Sequence, residues 1–290
     1  MLSINKIFAP VDFSDRSIAA AEHAAQLAKL FDAELTLIHV RPVEVYPATV
    51  AATAGAREEA AVREAQHSHG KLRALADRLT PDGETQLIDS QGDPAARLVH
   101  VINERKPDLV VMATHGAGAF RRFLLGSVTQ KVLHDTQVPV LTGTHLEGGD
   151  NYTVNCPRVL CAVGLKDREH SAKVVKTASE WASALNAELH VAHAPAPTET
   201  AAWEGVPVQS AETIEKERRG ALAQLIGETG VEAKTHVSAE YPVSFVSRTA
   251  KELDAGLVIT GRSVRHGVLH WPHSDAFGII RESPAPVLSL

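Results

Sequence analysis

The chain carries its own copy. Ala9-Pro10-Val11-Asp12, a helical stretch and Phe31-Asp32-Ala33-Glu34-Leu35-Thr36-Leu37-Ile38-His39-Val40 return as Cys161-Ala162-Val163-Gly164, a similar stretch and Leu185-Asn186-Ala187-Glu188-Leu189-His190-Val191-Ala192-His193-Ala194, a shift of 154 from Asp32 to Asn186. Gly92-Asp93-Pro94 with Leu109-Val110-Val111-Met112-Ala113 returns as Tyr241-Pro242 with Leu257-Val258-Ile259-Thr260-Gly261, a shift of 148 from Leu109 to Leu257. Val138-Pro139-Val140-Leu141 returns 147 residues on as Ala285-Pro286-Val287-Leu288. Five blocks in one order at nearly constant spacing are a duplication, so one unit must fold twice.

Each copy alternates short apolar runs with helical periodicity. In the first, Lys6 to Val11 fits a strand buried on both faces. Ser14 and Asp15 are helix-starting types, followed at helical spacing by Ile18, Ala21, Ala25, Ala28 and Phe31. Strands are expected at Leu35–Val40, Thr85–Asp89, Leu109–Ala113 and Val138–Leu141, with helices near 57–79, 95–104 and from Ser127. This alternation implies a parallel sheet with helices on both faces. The expected architecture is two tandem α/β domains, each a doubly wound, five-stranded, Rossmann-like parallel sheet, over residues 1–145 and 156–290 with a polar, glycine-bearing linker at 146–155. Matching insertions are expected at Ala48–Ala56 and Pro195–Pro207.

Composition narrows the function. The formal charge of −6, from 35 acidic and 29 basic side chains, argues against the basic footprint of a nucleic-acid binder. Two cysteines, Cys156 and Cys161, make no disulfide framework and suit a reducing compartment. The N-terminus lacks the pattern of a signal peptide and no apolar run approaches the ~18 residues of a membrane span, so a cytoplasmic protein without membrane attachment is expected.

The chemistry gathers after the fourth strand, in Ala113-Thr114-His115-Gly116-Ala117-Gly118-Ala119-Phe120-Arg121-Arg122-Phe123-Leu124-Leu125-Gly126-Ser127-Val128-Thr129. Gly116 and Gly126 let main-chain amides approach a ligand. Gly126-Ser127 opens a helix whose unpaired N–H groups and dipole suit a phosphate, with Ser127 and Thr129 as hydroxyl donors. Asp12, at the end of the first strand, could meet a ribose hydroxyl or a divalent cation. Ligands on such sheets bind beyond the C-terminal strand ends where strand order reverses. Tight turns alone would also explain these glycines.

The spacing resembles that of the universal stress protein family, whose signature is G-x2-G-x9-G-[ST]. Here it stands as Ala113-x-x-Gly116, nine residues, then Gly126-Ser127, with alanine in place of the first glycine. Val11-Asp12, Leu124-Leu125-Gly126-Ser127 and Val138-Pro139-Val140 match as well, and the resemblance extends over both copies. It implies an adenine nucleotide alpha hydrolase-like fold binding ATP, or ADP or AMP, with Mg2+ as a companion ion. It further implies that Gly116 and its neighbours Ala113 and His115 approach ribose and phosphates, and that Gly126, Ser127, Val128 and Thr129 grip the phosphates. Pro10, Val11 and Asp12 would lie beside the nucleotide, the Val40 main chain would meet the adenine edge, and Met112 would form an apolar wall under the base.

The second copy departs from the pattern. Gly261-Arg262-Ser263-Val264 and Ser274-Asp275 put valine where Gly116 stands and a carboxylate where Ser127 stands, and Gly164 replaces Asp12. A carboxylate at a phosphate-facing helix start repels the ligand. The second copy is therefore expected to be empty or altered, completing an internal pseudo-dimer, with a homodimer of chains and an unidentified protein partner as further associations. The alternative is that Arg262, Arg265 and His266 hold a different anion there.

Other constellations read as structural. His266, His270 and His273 have helical spacing for a metal, but Pro272 interrupts it. His67 and His69 point different ways on a polar helix, Arg121 and Arg122 fit a loop tip as well as a phosphate contact, and Trp181, Trp203 and Trp271 form no stacking pattern. There is no Walker-type G-x4-G-K-[ST] and no nucleophile paired with a base. A nucleotide binder in a stress or signalling role is the expected function. A slow ATP hydrolase or nucleotidyl-transfer enzyme, and a scaffold without nucleotide, are the alternatives.

Overall fold

The computed structural model describes residues 2–43, 54–81, 83–115, 125–143, 154–195, 211–262 and 275–290. The chain divides into two compact units, Ile4–Val140 and Leu141–Leu290, the second also taking in Leu2 and Ser3.

The first unit runs β1 (Lys6–Pro10), α1 (Asp15–Phe31), β2 (Glu34–Arg41), α2 (Ala54–Leu79), β3 (Thr85–Gln91), α3 (Pro94–Arg105), β4 (Leu109–Ala113) and α4 (Ser127–Asp135), with β5 (Val140–Gly143) starting where the units divide. The strands run parallel in the order β3-β2-β1-β4, in register Ile7↔Leu35, Ile7↔Leu109 and Leu37↔Leu87. Strand order therefore reverses between β2 and β4 on either side of β1. Ile7, Leu37, Leu109, Val110 and Val111 are fully buried, as a sheet covered on both faces requires.

The second unit repeats this with β6 (Arg158–Ala162), α5 (Arg168–Ala184), β7 (Glu188–His193), α6 (Ala211–Thr229), β8 (Lys234–Val237), α7 (Pro242–Glu252), β9 (Leu257–Thr260), α8 (Asp275–Glu282) and β10 (Val287–Ser289). Its order is β10-β9-β6-β7-β8, and its pairs β6–β7, β6–β9, β7–β8 and β9–β10 are parallel.

The duplication reaches individual hydrogen bonds. Asp32 and Asn186 both take the left-handed conformation at φ 52°, which their short polar side chains tolerate. Beside them the Ala33 and Ala187 amides each donate to the helix behind, to the Ala28 and Ala182 carbonyls at 2.8 Å. The matching Asp-Ala-Glu-Leu and Asn-Ala-Glu-Leu strings thus encode one helix-to-strand turn used twice.

Two sequence expectations shift. The buried face of α1 is Ser17, Ala20, Ala21, His23, Ala24, Leu27 and Ala28, while Ile18, Ala25 and Phe31 are half-buried. The stripe is rotated because Ser17 is drawn inward, donating to the Ser14 carbonyl and accepting from the Asp12 amide. β5 starts at Val140, two residues late, since Pro139 has no amide hydrogen to pair and contributes only its carbonyl, which accepts from Val110 at 2.9 Å. Most of the expected insertions at 48–56 and 195–207 lie outside the described residues, and α2 already begins at Ala54.

Helix packing in the second unit needs a glycine. A Cβ on Gly278 of α8 would lie 2.6 Å from Val243 Cγ2 and 3.2 Å from its Cγ1, on a valine that is itself buried in α7. Gly278→Leu is expected to lose about 2 kcal/mol, because overpacking outweighs the gain of up to about 1 kcal/mol in helix propensity. The midpoint of urea unfolding followed by tryptophan fluorescence checks this, and an unchanged midpoint would mean that α7 and α8 part without cost.

Candidate functional site

The candidate site lies at the C-terminal ends of β1, β2 and β4. Leaving β1, the chain passes buried Val11 to exposed Asp12, whose Oδ1 accepts from the Ser14 amide at 3.0 Å and from the Ser14 hydroxyl at 2.5 Å. Ser14 then caps α1 by accepting from the Ser17 amide. This aspartate-to-serine turn holds the carboxylate at the strand end. Phe13, between them, has φ 63°, a costly conformation for an aromatic residue. Its ring packs on His39 with centroids 4.5 Å apart, and the Lys71 ammonium lies 5.7 Å from the Phe13 centroid.

His39 explains how the edge opens. Its Nδ1 donates to the Val11 carbonyl at 2.7 Å, while the Val11 amide donates to the Ile38 carbonyl at 2.8 Å. A side chain thus takes the carbonyl that would continue the β1–β2 ladder. Main-chain direction alternates along β2: Ile38 faces β1, and Arg41, accepting from Gly92, faces β3. Val40 therefore directs its N–H and C=O toward the β1 side, past the last ladder bond. His193 makes the same bond to the Val163 carbonyl at 2.9 Å in the second unit. Neither histidine was singled out in the sequence, although both stand at one repeat position; that coincidence was the available signal.

On the other side of β1, β4 ends at half-buried Ala113, followed by buried Thr114 and His115, with His115 Nδ1 3.0 Å from the Thr114 hydroxyl. The Gly126 amide donates to the Thr114 carbonyl at 2.8 Å, bringing the start of α4 back to the strand end. α1, α3 and α5 each open on a side chain that accepts from the first turn, whereas Gly126 supplies none, and neither does Tyr241 before α7. The α4 amides therefore meet no capping side chain, which leaves them suited to an anion. Ser127 is exposed and Val128 half-buried there.

Thr129 departs from its expected role as a phosphate-facing donor. It is buried, and its hydroxyl donates to the Ala113 carbonyl at 2.9 Å. The third residue of the helix faces back onto the strand end, so its hydroxyl ties α4 to β4. Pro10, Val11, Val40 and Met112 are all buried at or near their strand ends, Val40 and Met112 being 7% and 4% exposed. Gly116, Gly118, Arg121 and Arg122 lie outside the described residues.

The equivalent edge of the second unit is built differently. Gly164 offers only a carbonyl, which accepts from the Ser171 hydroxyl at 2.7 Å. Gly261 keeps the glycine that the first unit lacks, and packing is the reason: a Cβ there would lie 2.9 Å from Val174 Cγ2 and against the His170 imidazole. Arg262 is buried, which pushes its pKa down to about 10. Asp275 is the first residue of α8. Ser263, Val264, Arg265, His266, His270, His273 and Ser274 lie outside the described residues, as do Trp203 and Trp271.

Of the remaining sequence candidates, His67 and His69 are exposed and Trp181 is a buried core residue. Cys156 and Cys161 are buried and free, with burial raising their thiol pKa values to about 11 and 12. No described helix is long and apolar enough to cross a membrane.

The model of the universal stress protein family matches residues 3–142 and again 157–289. The chain belongs to this family. Universal stress protein MJ0531 of Methanocaldococcus jannaschii is 37% identical over 139 residues, covering 47% of this chain and 79% of that protein. The crystal structure of a universal stress protein from Archaeoglobus fulgidus aligns over 99% of this chain and 98% of its own, with a TM-score of 0.73 and 20% identity. A universal stress protein solved in complex with cAMP aligns over 48% of this chain and 95% of its own, at 25% identity and a TM-score of 0.33.

Proposed function

We propose that the first unit binds an adenine nucleotide, ATP or its di- or monophosphate, and that the second unit does not. The observation that carries this reading is the opening of α4. A Gly126-Ser127 helix start without a side-chain cap is tied by Gly126 to the end of β4, one strand from the Asp12 turn that follows β1. Phosphates belong at the first and a ribose or Mg2+ at the second. The Val40 main chain, directed past the end of β1, suits the polar edge of a base.

In the second unit Asp275 sets a carboxylate at the matching helix start, Gly164 removes the aspartate, and the His170 ring packs at Gly261. All three oppose a nucleotide. Nucleotide binding in one unit then serves a stress-response or signalling role, with the ligand biasing the conformation offered to a protein partner.

Calorimetric titration of the full chain with ATP and magnesium is the test, alongside the double variant Gly126→Asp, Ser127→Asp. A stoichiometry near one, abolished in the variant, is expected. Two sites per chain would overturn the silence of the second unit, and no binding would leave a scaffold without nucleotide.

A further inference from the structure

The edge of the second sheet holds a pair of histidines apart from the strand ends. β8 is the outermost strand of its unit, and only four of its residues are paired with β7. Across that pairing, one step diagonally, His190 Nδ1 of β7 lies 2.8 Å from His236 Nε2 of β8, the rings near parallel at 18° with centroids 5.1 Å apart. The other nitrogen of His190, Nε2, lies 3.2 Å from Glu188 Oε2, and Glu188 is in turn paired with Lys234 at 2.6 Å. His190 is 3% exposed.

Hydrogen-bond bookkeeping fixes the protons. A carboxylate only accepts, so His190 Nε2 carries a hydrogen toward Glu188. At 2.8 Å the two facing nitrogens share a single hydrogen, one donating and the other accepting. A neutral pair satisfies this with His236 Nε2 as donor. A singly protonated pair satisfies it with either ring charged. A doubly protonated pair sets N–H against N–H and places two cations in contact.

We propose that His190 and His236 form an acid-released clasp that holds the edge strand β8 on the sheet of the second unit. The contact itself opposes the second charge, since it would set two N–H groups of two cations against each other at 2.8 Å in a largely buried place. Glu188 accepts from His190 and is itself paired with Lys234, and the two line a crevice with Glu232. On the far side His236 lines a crevice of about 370 Å³ with Glu215 and Arg219 of α6, Glu240, and Arg248 and Glu252 of α7. Arg248 occupies Glu240 and Glu252, so neither is committed to His236. Burial is the main cause lowering the His236 pKa, His190 adds to it, and Glu252 opposes.

The sign follows. The closed clasp binds fewer protons than the open one, so it is fully held above the ordinary histidine range and released as pH falls through and below it. Because opening takes up one extra proton, its equilibrium constant rises roughly tenfold per pH unit in the acid limb. Release frees β8 and bares the edge of β7, a surface able to pair with another strand.

Hydrogen exchange of the full chain between pH 7.5 and 5, corrected for the intrinsic pH dependence of exchange, tests this. The amides of residue 236 and Ser238, on the side of β8 that faces β7, should lose protection in the acid limb while β6 amides hold theirs. His236→Gln keeps an amide donor for His190 and removes the titration, so its β8 protection should stay flat with pH. An equal acid response in wild type and variant would overturn the clasp. Imidazole 15N shifts of the wild type give an independent reading: a single shared proton over the neutral range is expected, and two rings titrating separately near 6.5 would overturn it as well.

Discussion

Asp89→Ala should destabilise the first unit by about 3 kcal/mol. The Arg41 Nε–H donates to Asp89 Oδ1 at 2.9 Å, and the two side chains are only 13% and 9% exposed. The pair crosses diagonally from β2 to β3 at their C-terminal ends, where His39 faces Asp89 and Arg41 faces Gln91. Deleting the carboxylate leaves a mostly desolvated guanidinium without its counter-charge, and that penalty exceeds what the pair contributes when intact. Removing both charges, as Arg41→Met with Asp89→Leu, should recover most of the loss. All three tryptophans, Trp181, Trp203 and Trp271, follow residue 154, so their fluorescence reports the second half of the chain and serves as a control. Hydrogen exchange of the β2 and β3 amides reads the first. Additive losses in the double variant would show that the two charges act independently.

The architecture was legible because its signals are local. Apolar runs such as Leu109–Ala113 and capping residues such as Ser14 and Asp93 announce their elements without tertiary help, and the repeat certified them twice. The α1 stripe was misjudged because only apolar residues were counted. Ser17 and His23 face inward for reasons of hydrogen bonding and packing that no hydropathy pattern carries. In the candidate site, glycines and an aspartate at strand ends are visible as residue types. The His39 bond to Val11 depends on strands 28 residues apart being paired, so the recurrence of histidine at one repeat position was its only trace in the sequence, and the strain at Phe13, a property of φ, left none. Thr129 is a similar case: its residue type permits a ligand contact, and only the facing of the helix shows that its hydroxyl donates to Ala113. His190 and His236 are 46 residues apart and meet through the β7–β8 register alone.

Acid should weaken the first unit through His23. This residue lies within α1, which packs on β1 and β4, and it is 5% exposed. Burial lowers its pKa from 6.5 to about 4, and its Nε2 is enclosed with no hydrogen-bond partner among the described residues. In the unfolded chain the imidazole takes up a proton as pH falls through 6.5, whereas in the folded chain it stays neutral until about 4. The folded state therefore binds fewer protons across that window, and its stability is flat above pH 7 and declines progressively below 6.5. A separation of this size amounts to about 3 kcal/mol once pH reaches 4. Groups with lowered carboxylate pKa values, such as Asp135 held down by His134 and Lys131, also lose their contributions in acid. The His23 share has to be isolated by difference. His23→Leu keeps the volume and removes the titration, so wild type and variant should diverge steadily between pH 6.5 and 4.5 in the exchange protection of α1 and β4 amides. Parallel curves would mean that the imidazole ionises within the folded unit, and that α1 opens to admit water without unfolding.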